Sequence, residues 1–175
     1  MAIRRNGKMN WLLLPMFTLL LGLSACKPQE TNLPFEIVEQ EERNLTGEIY
    51  EAREPGLIVV AQSDEVAELD DWVTETSKEQ FQVMDYDACL ALVVFQGMKP
   101  TDGYGVRIER VVRESNEVTI YAQFQKPHSD QKKNDIVTSP YSLTQVQKTD
   151  TWNQNIKFNV IVDDSVVISA SHSIP

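Results

Sequence analysis

The sequence has few of the residues that build metal and cofactor sites. Its 175 residues include two histidines and two cysteines, and none of them has the spacing of zinc ligands. We therefore expect no metal site and no small-molecule cofactor. Cys89 lies in an apolar run and is expected to be a small buried residue. His128, in a polar loop, and His172, near the end of the sequence, are both expected to be solvated.

Basic residues are also scarce. The chain carries 16 Lys and Arg residues against 26 Asp and Glu residues, which gives a formal net charge of −10. A surface this acidic repels polyanions, so nucleic acid is not expected as a partner. The chain also lacks the G-x-S-x-G motif of serine hydrolases, and we predict no catalytic residue.

No apolar run is long enough to form a membrane-spanning helix. The longest covers residues 11–23, follows a basic stretch, and falls short of the roughly 20 residues that cross a bilayer. It has the length of the apolar region of a secretory signal. The run ends in Leu23-Ser24-Ala25-Cys26, which resembles the lipobox of bacterial lipoproteins. The alternatives are an uncleaved membrane helix and a signal peptide without lipid.

The lipobox resemblance implies that residues 1–25 are removed as a signal peptide and that Cys26 carries a covalent lipid. Two or more acyl chains hold a protein stably at a membrane, at about 0.8 kcal/mol per buried methylene. The expected location is extracytoplasmic, with the lipid in the cell membrane or the outer membrane. Lys27 stands where the inner-membrane retention signal has Asp, so the outer membrane is allowed.

After Cys26 the sequence is polar and acidic as far as residue 46, and it includes Pro28 and Pro34. This composition predicts a flexible tether over residues 26–46, which could extend to about 65 Å. The remaining residues, 47–175, are enough for one ordinary domain and too few for two domains with separate cores.

The hydrophobic pattern of that domain predicts an α+β fold, mostly antiparallel β-sheet with one main amphipathic helix packed on it. Val66, Leu69 and Val73 recur at helical spacing, which predicts a helix over residues 64–76. Residues 88–95 are continuously apolar and of strand length, so we expect a central strand that is buried on both faces.

Two hairpins are predicted from alternating apolar and polar residues. A polar turn joins residues 104–108 to residues 118–124. A second turn, which begins at Asp163, joins residues 156–162 to residues 166–168. These four strands account for most of the predicted sheet.

Before the first hairpin, two glycines flank a tyrosine in Gly103-Tyr104-Gly105. A dinucleotide-binding turn needs a helix after its glycines, because the helix N-terminus faces the pyrophosphate. Here the residues after Gly105 alternate with period two and predict a strand, so nucleotide binding is not expected. We predict instead a 97–105 loop between adjacent strands, in which Gly103 and Gly105 take conformations closed to other residues.

The same stretch resembles a known family. Residues 97–104, GMKPTDGY, are followed by an alternating strand and by SPYSL at residues 139–143. Together they look like the C-terminal domain of the PrcB family, whose members are named as subunits of protease complexes. The resemblance covers roughly residues 57–148 and implies a small extracytoplasmic accessory domain that is not itself a protease. Asp102 stands where family members often have glycine.

We therefore expect a lipid-anchored protein-binding or accessory module. Its partners are the membrane, through the lipid, and an envelope protein, for which the resemblance suggests a protease. One alternative is that the tyrosines are core aromatics and the loop only turns the chain. Others are an envelope hydrolase, a lipoprotein that binds carbohydrate or metal, and a purely structural lipoprotein. The candidate binding residues are Gly97, Pro100, Thr101, Asp102, Gly103, Tyr104, Gly105 and Tyr141.

Overall fold

A computed structural model describes residues 30–41, 52–130, 134–152 and 154–175. The predicted signal peptide and the predicted lipid attachment at Cys26 lie outside these residues. A 3₁₀ helix spans Ser63–Trp72, and an α-helix, α1, spans Glu75–Gln82. The strands are β1 (Thr31–Asn32), β2 (Phe35–Glu41), β3 (Gly56–Val60), β4 (Cys89–Phe95), β5 (Gly105–Glu114), β6 (Glu117–Gln125), β7 (Tyr141–Gln147), β8 (Gln154–Val162) and β9 (Ser165–Ile174).

The strands form two sheets. A five-stranded sheet has the order β1-β5-β6-β8-β9, and a four-stranded sheet has the order β2-β7-β4-β3. All neighbouring strands are antiparallel except β6 and β8, which are parallel. The predicted, mostly antiparallel β-sheet is therefore confirmed.

The two sheets and the helices form three layers, and β4 lies in the middle one. Leu90, Leu92 and Val94 pack against the five-stranded sheet, whereas the alternate residues Ala91 and Val93 pack against the helical side. Every residue of β4 is buried. The central strand that the apolar run predicts is thus confirmed, and the buried thiol of Cys89 lies at its start.

The single main helix expected over residues 64–76 is not confirmed. The chain forms the 3₁₀ helix and then α1, with an extended break at Val73 and Thr74. The Thr74 hydroxyl accepts a hydrogen bond from the backbone N–H of Ser77, which starts a new helix at that point. Because Val66, Leu69 and Val73 are all buried, the apolar pattern still located the packed face.

The prediction of a flexible tether is wrong for residues 31–41. Strand β1 pairs with β5 in one sheet, and β2 pairs with β7 in the other, so this segment joins the two sheets. Between these strands Leu33 is buried in the core, and its backbone N–H donates to Val111 O at 2.9 Å. Apolar side chains that enter both cores offset the entropy of ordering an otherwise acidic segment. The domain therefore begins well before residue 47.

Both predicted hairpins are confirmed. Strands β5 and β6 meet at a two-residue turn in which Ser115 has φ 55°. Strands β8 and β9 meet at Asp163 and Asp164, with φ 49° and 59°. Two successive positive φ values characterise the type I′ turn, which matches the twist of a hairpin and suits Asp better than most residues.

Candidate functional site

The 97–105 loop joins the two sheets. Strand β4, which precedes it, belongs to the four-stranded sheet, and β5, which follows it, belongs to the five-stranded sheet. The loop was predicted to join adjacent strands; the two strands are consecutive in the chain but lie in different sheets. The loop therefore connects one sheet to the other, and most of its residues are exposed or half-buried.

Gly97 fixes the start of the loop. It has φ 81°, and a Cβ atom on it would lie 2.3 Å from the backbone oxygen of Arg53. The next residue, Met98, donates its N–H to Ala52 O at 2.9 Å. The absence of a side chain therefore lets the loop lie directly against the segment before β3.

The middle of the loop pairs with residues 134–138, which we call the 134–138 segment. The N–H of Lys99 donates to Thr138 O at 2.8 Å, and the N–H of Thr138 donates back to Lys99 O at 2.9 Å. The Thr138 hydroxyl also donates to Thr101 O at 2.9 Å. These bonds hold the loop and the 134–138 segment together as one surface.

Asp102 fastens the far end of this surface. Its carboxylate accepts hydrogen bonds from the backbone N–H of Asn134, at 2.9 Å, and from the Asn134 side-chain amide. Its own N–H donates to Asn134 O at 3.3 Å. Asp102 thus has a structural role here that glycine could not supply, because glycine has no carboxylate.

Replacing Asp102 by Ala is expected to loosen the 134–138 segment. The change removes two charge-assisted hydrogen bonds in an exposed setting, for which we expect a loss of about 1–2 kcal/mol in the free energy of unfolding. Amide hydrogen exchange should quicken at Thr138 and Lys99, whose mutual bonds depend on the segment staying in place. Thr101→Ala serves as the control, because Thr101 contributes its backbone oxygen to Thr138. Unchanged exchange at both amides would contradict the proposed role of Asp102.

The glycines at the end of the loop differ from each other. Gly103 has φ 86°, as predicted, and a Cβ atom on it would lie 2.8 Å from Cβ of Pro127. Gly105 has no positive φ, so the prediction for that residue is wrong, and Gly97 takes the second such conformation instead. Gly103 also borders a cleft of about 610 Å³, which is lined further by Phe124, Gln125, Lys126, His128 and Asp163, among others.

Lys99 and Tyr104 face each other across the loop. The ammonium nitrogen lies 6.0 Å from the centre of the tyrosine ring and donates to Gln96 O at 2.8 Å. Burial lowers the pKa of Lys99, an effect that Glu54 opposes and Lys126 adds to. Lys99 is therefore held in place by the Gln96 carbonyl, with half-buried Tyr104 nearby.

Two exposed apolar side chains lie beside the loop. Ile136 and Val137 are 47% and 48% exposed, in the same 134–138 segment that pairs with Lys99. Pro100 is also exposed, at the turn of the loop. We call Pro100, Ile136 and Val137 the loop-side apolar surface. The sequence did not lead us to predict the 134–138 segment, although the β-branched run Ile136-Val137-Thr138 indicates extended backbone.

Tyr141 lies in the core rather than in a contact surface. Its ring packs against Phe95 at 5.7 Å, and its hydroxyl donates to the Glu39 carboxylate of β2. The hydroxyls of Thr74 and Ser77 donate to the same carboxylate. Of the eight candidate binding residues, Tyr141, Gly97 and Gly105 are buried, and the other five are exposed or half-buried in the loop.

The described residues bring together no nucleophile and base at the loop. His128 is exposed. The expectation for His172 is wrong, because it lies on β9 with Nε2 3.2 Å from both carboxylate oxygens of Glu65. In the same part of the chain, no group of three or more His, Cys, Asp and Glu residues is placed to hold a metal ion. No described helix is long and apolar enough to cross a membrane.

A second cleft, of about 570 Å³, lies away from the loop and includes Tyr86 and Lys148. Burial, together with the nearby Glu65, raises the pKa of Tyr86 to about 12. Burial lowers the pKa of Lys148. The Tyr86 hydroxyl donates to Phe81 O at 2.9 Å, and Lys148 Nζ donates to Tyr86 O at 2.6 Å. Both shifted groups thus connect backbone segments, which explains their burial without a catalytic role.

The protein is thus a three-layered β-rich domain whose most distinctive surface is a rigid loop with apolar residues beside it. Residues 90–147 match the model of the family described as PrcB C-terminal. The match runs from β4 to the end of β7 and covers about a third of the chain, including the 97–105 loop, the 134–138 segment and Tyr141. It confirms the resemblance seen in the sequence. Searches of curated proteins and of solved structures find no match to this chain.

Proposed function

We propose that this protein is a lipid-anchored, extracytoplasmic accessory module that binds an envelope protease through the 97–105 loop and the loop-side apolar surface. One observation supports the location of the site above others. Ile136 and Val137 remain about half exposed although backbone hydrogen bonds on both sides of them hold the segment in place. Exposed apolar side chains on an ordered surface favour association with another protein.

The hydrogen bonds that order the loop favour recognition of a partner. Met98 binds the segment before β3, and both Lys99 and Asp102 bind the 134–138 segment, so the surface exists before a partner arrives. A surface that is ordered in advance loses little conformational entropy on binding. The family resemblance supplies the class of partner, since PrcB proteins are named as subunits of protease complexes.

The site is best tested by crosslinking in the envelope of the host. The full chain carries a photoreactive residue in place of Thr101, which is half-buried in the loop. Illumination should yield an adduct with a protease or its precursor, identified by mass spectrometry. The double variant Ile136→Ser/Val137→Ser should reduce the adduct about tenfold or more, since both side chains lose apolar burial with the partner. Its free energy of unfolding should change by about 0.5 kcal/mol or less, as expected for surface residues.

Val83→Ser is the matched control, because Val83 is 84% exposed but follows α1, away from the loop. It should leave the adduct unchanged. An equal loss of the adduct with Val83→Ser would show that exposed apolar residues anywhere on the protein promote crosslinking, and that this surface has no special role. An adduct with an envelope protein that is not a protease would refute the proposal that the partner is a protease. If no adduct forms, the alternatives of a hydrolase or a lipoprotein that binds a small ligand gain support.

The lipid anchor rests on Leu23-Ser24-Ala25-Cys26 and has its own test. The variant Cys26→Ser should accumulate as a precursor that retains residues 1–25 and carries no lipid, because the acylated atom is the cysteine sulfur. Intact mass spectrometry of the membrane fraction measures both changes. Cys89→Ala, which alters the buried cysteine, should keep the lipidated mass. A lipidated Cys26→Ser product would end the lipobox interpretation.

A further inference from the structure

The four edge strands of the two sheets differ in how they are protected against pairing with another chain. Strand β1 has only two residues, β2 carries Glu36, Glu39 and Glu41, and no residue of β3 is exposed. Short length, charge and burial are all common ways to prevent edge pairing. Strand β9 is different, because it has ten residues and forms the other edge of the five-stranded sheet.

Strand β9 contains no Asp, Glu, Lys or Arg residue, although charged residues make up 24% of the chain. Strand β8 pairs with one edge of β9, and no backbone hydrogen bond joins the other edge of β9 to any residue in the described ranges. Towards its C-terminal end, His172 contacts Glu65 near β3. The open part of the edge is therefore residues 165–171.

The side chains of this open edge are small or apolar. Val166 and Val167 are 59% and 39% exposed, where a bulge places an extra residue in β9 opposite Val160 and Ile161 of β8. Beyond the bulge, exposed Ser169 and Ser171 alternate with half-buried Ile168 and Ala170. A bulge protects an edge strand to some extent, but this bulge lies next to the turn. The residues of β9 that follow it pair regularly with β8.

We propose that β9 pairs with β9 of a second copy of this chain, antiparallel and about a two-fold axis within residues 167–171, so that the two five-stranded sheets become continuous. The absence of charge favours a second copy over a different partner. Next to a two-fold axis a side chain meets its own copy, and like charges placed opposite each other are destabilising. A strand that binds a different protein could instead carry charges that complement those of the partner. Acidic residues are common elsewhere in this chain, yet β9 has none.

Cysteine crosslinking of the full chain in the host envelope tests this pairing. Residues 167, 168, 169, 170 and 171 are changed to Cys one at a time and oxidised, and disulfide-linked dimers are measured on non-reducing gels. A disulfide needs Cα atoms within about 7 Å. In an antiparallel pair only residues next to the two-fold axis approach their own copy that closely, because a shift of two positions adds about 13 Å along the strand. Dimer yield should therefore peak at one position or two adjacent positions and fall about tenfold within two residues.

Ser129→Cys is the control, since Ser129 is exposed in a turn far from β9 in the sequence. A yield at all five positions no higher than this control would overturn the proposal, and so would an equal yield at all five, which would mean random collision. A crosslinked product with the mass of a different protein would also overturn it.

A charge variant provides an independent measurement. Ser171→Lys is added to the cysteine variant with the highest yield, or, if that is residue 171 itself, Ser169→Lys is used. It should lower the dimer yield about tenfold or more, because a lysine on an edge strand opposes pairing with another strand. Ser129→Lys should leave the yield unchanged. Retention of the full dimer yield with lysine on the edge would overturn the pairing.

Discussion

A fragment that begins at residue 47 is expected not to fold cooperatively, whereas one that begins at residue 27 is expected to unfold in a single transition. The shorter fragment lacks β1, Leu33 and β2, and so leaves two sheets without their shared strand segment. Leu33 N–H donates to Val111 O in one sheet, and Gln147 N–H donates to Pro34 O in the other, both at 2.9 Å. The core also loses the apolar side chains of Leu33 and Phe35, at about 2 kcal/mol each.

The shorter fragment further leaves the hydroxyls of Thr74, Ser77 and Tyr141 without the Glu39 carboxylate, and an unsatisfied buried hydroxyl costs about 1–3 kcal/mol. The total loss is comparable to the 5–15 kcal/mol that stabilises an ordinary domain. Urea unfolding followed by tryptophan fluorescence compares the two fragments. Equal unfolding midpoints would show that residues 30–41 add nothing to the domain.

The substitution Gly97→Ala is expected to destabilise the protein by about 3 kcal/mol or more. A left-handed backbone alone costs alanine about 1–2 kcal/mol. The new Cβ atom would also lie 2.3 Å from Arg53 O and 2.8 Å from Glu54 O, and both are backbone atoms that no side-chain rotation can move. The loop or the segment before β3 must therefore shift. Urea denaturation of the full domain measures the change in the free energy of unfolding.

Gly105→Ala is the matched control from the same loop. Its Cβ atom would meet Oε1 of Gln125 at 2.9 Å, the far end of a flexible and exposed side chain, and Gly105 has no positive φ. The expected loss is about 1 kcal/mol or less. If the two alanine variants were equally stable, the close approach of Gly97 to the Arg53 backbone would not matter to the fold.

The sequence was informative where hydrophobic periodicity alone determines structure. The continuous apolar run of β4 and the alternation in β5, β6 and β8 predicted strands that the structure contains, because side chains on one face of a strand recur at period two. The helix was harder to predict. The apolar spacing of Val66, Leu69 and Val73 located a buried face, but a break at Thr74 depends on a local hydrogen bond that hydrophobic spacing does not report.

The acidic segment before residue 47 shows a second limit. Composition favoured disorder there, yet Leu33, Phe35 and Val38 enter the two cores, and Glu39 meets three hydroxyls from distant parts of the chain. Contacts over so many residues cannot be inferred from one segment by itself. The same limit applies to the candidate site. Its glycine-rich loop could be recognised in the sequence, whereas its hydrogen bonds to the distant 134–138 segment could be seen only in the structure.

The early start of the domain also limits its distance from a membrane, if Cys26 carries the proposed lipid. Between a lipidated Cys26 and Thr31, the first residue of β1, the chain covers at most about 17 Å when fully extended. A flexible tether to residue 46 would have allowed about 65 Å. The folded domain would thus be confined to a layer next to the lipid headgroups, and its encounters would be restricted to proteins that present a surface in that layer.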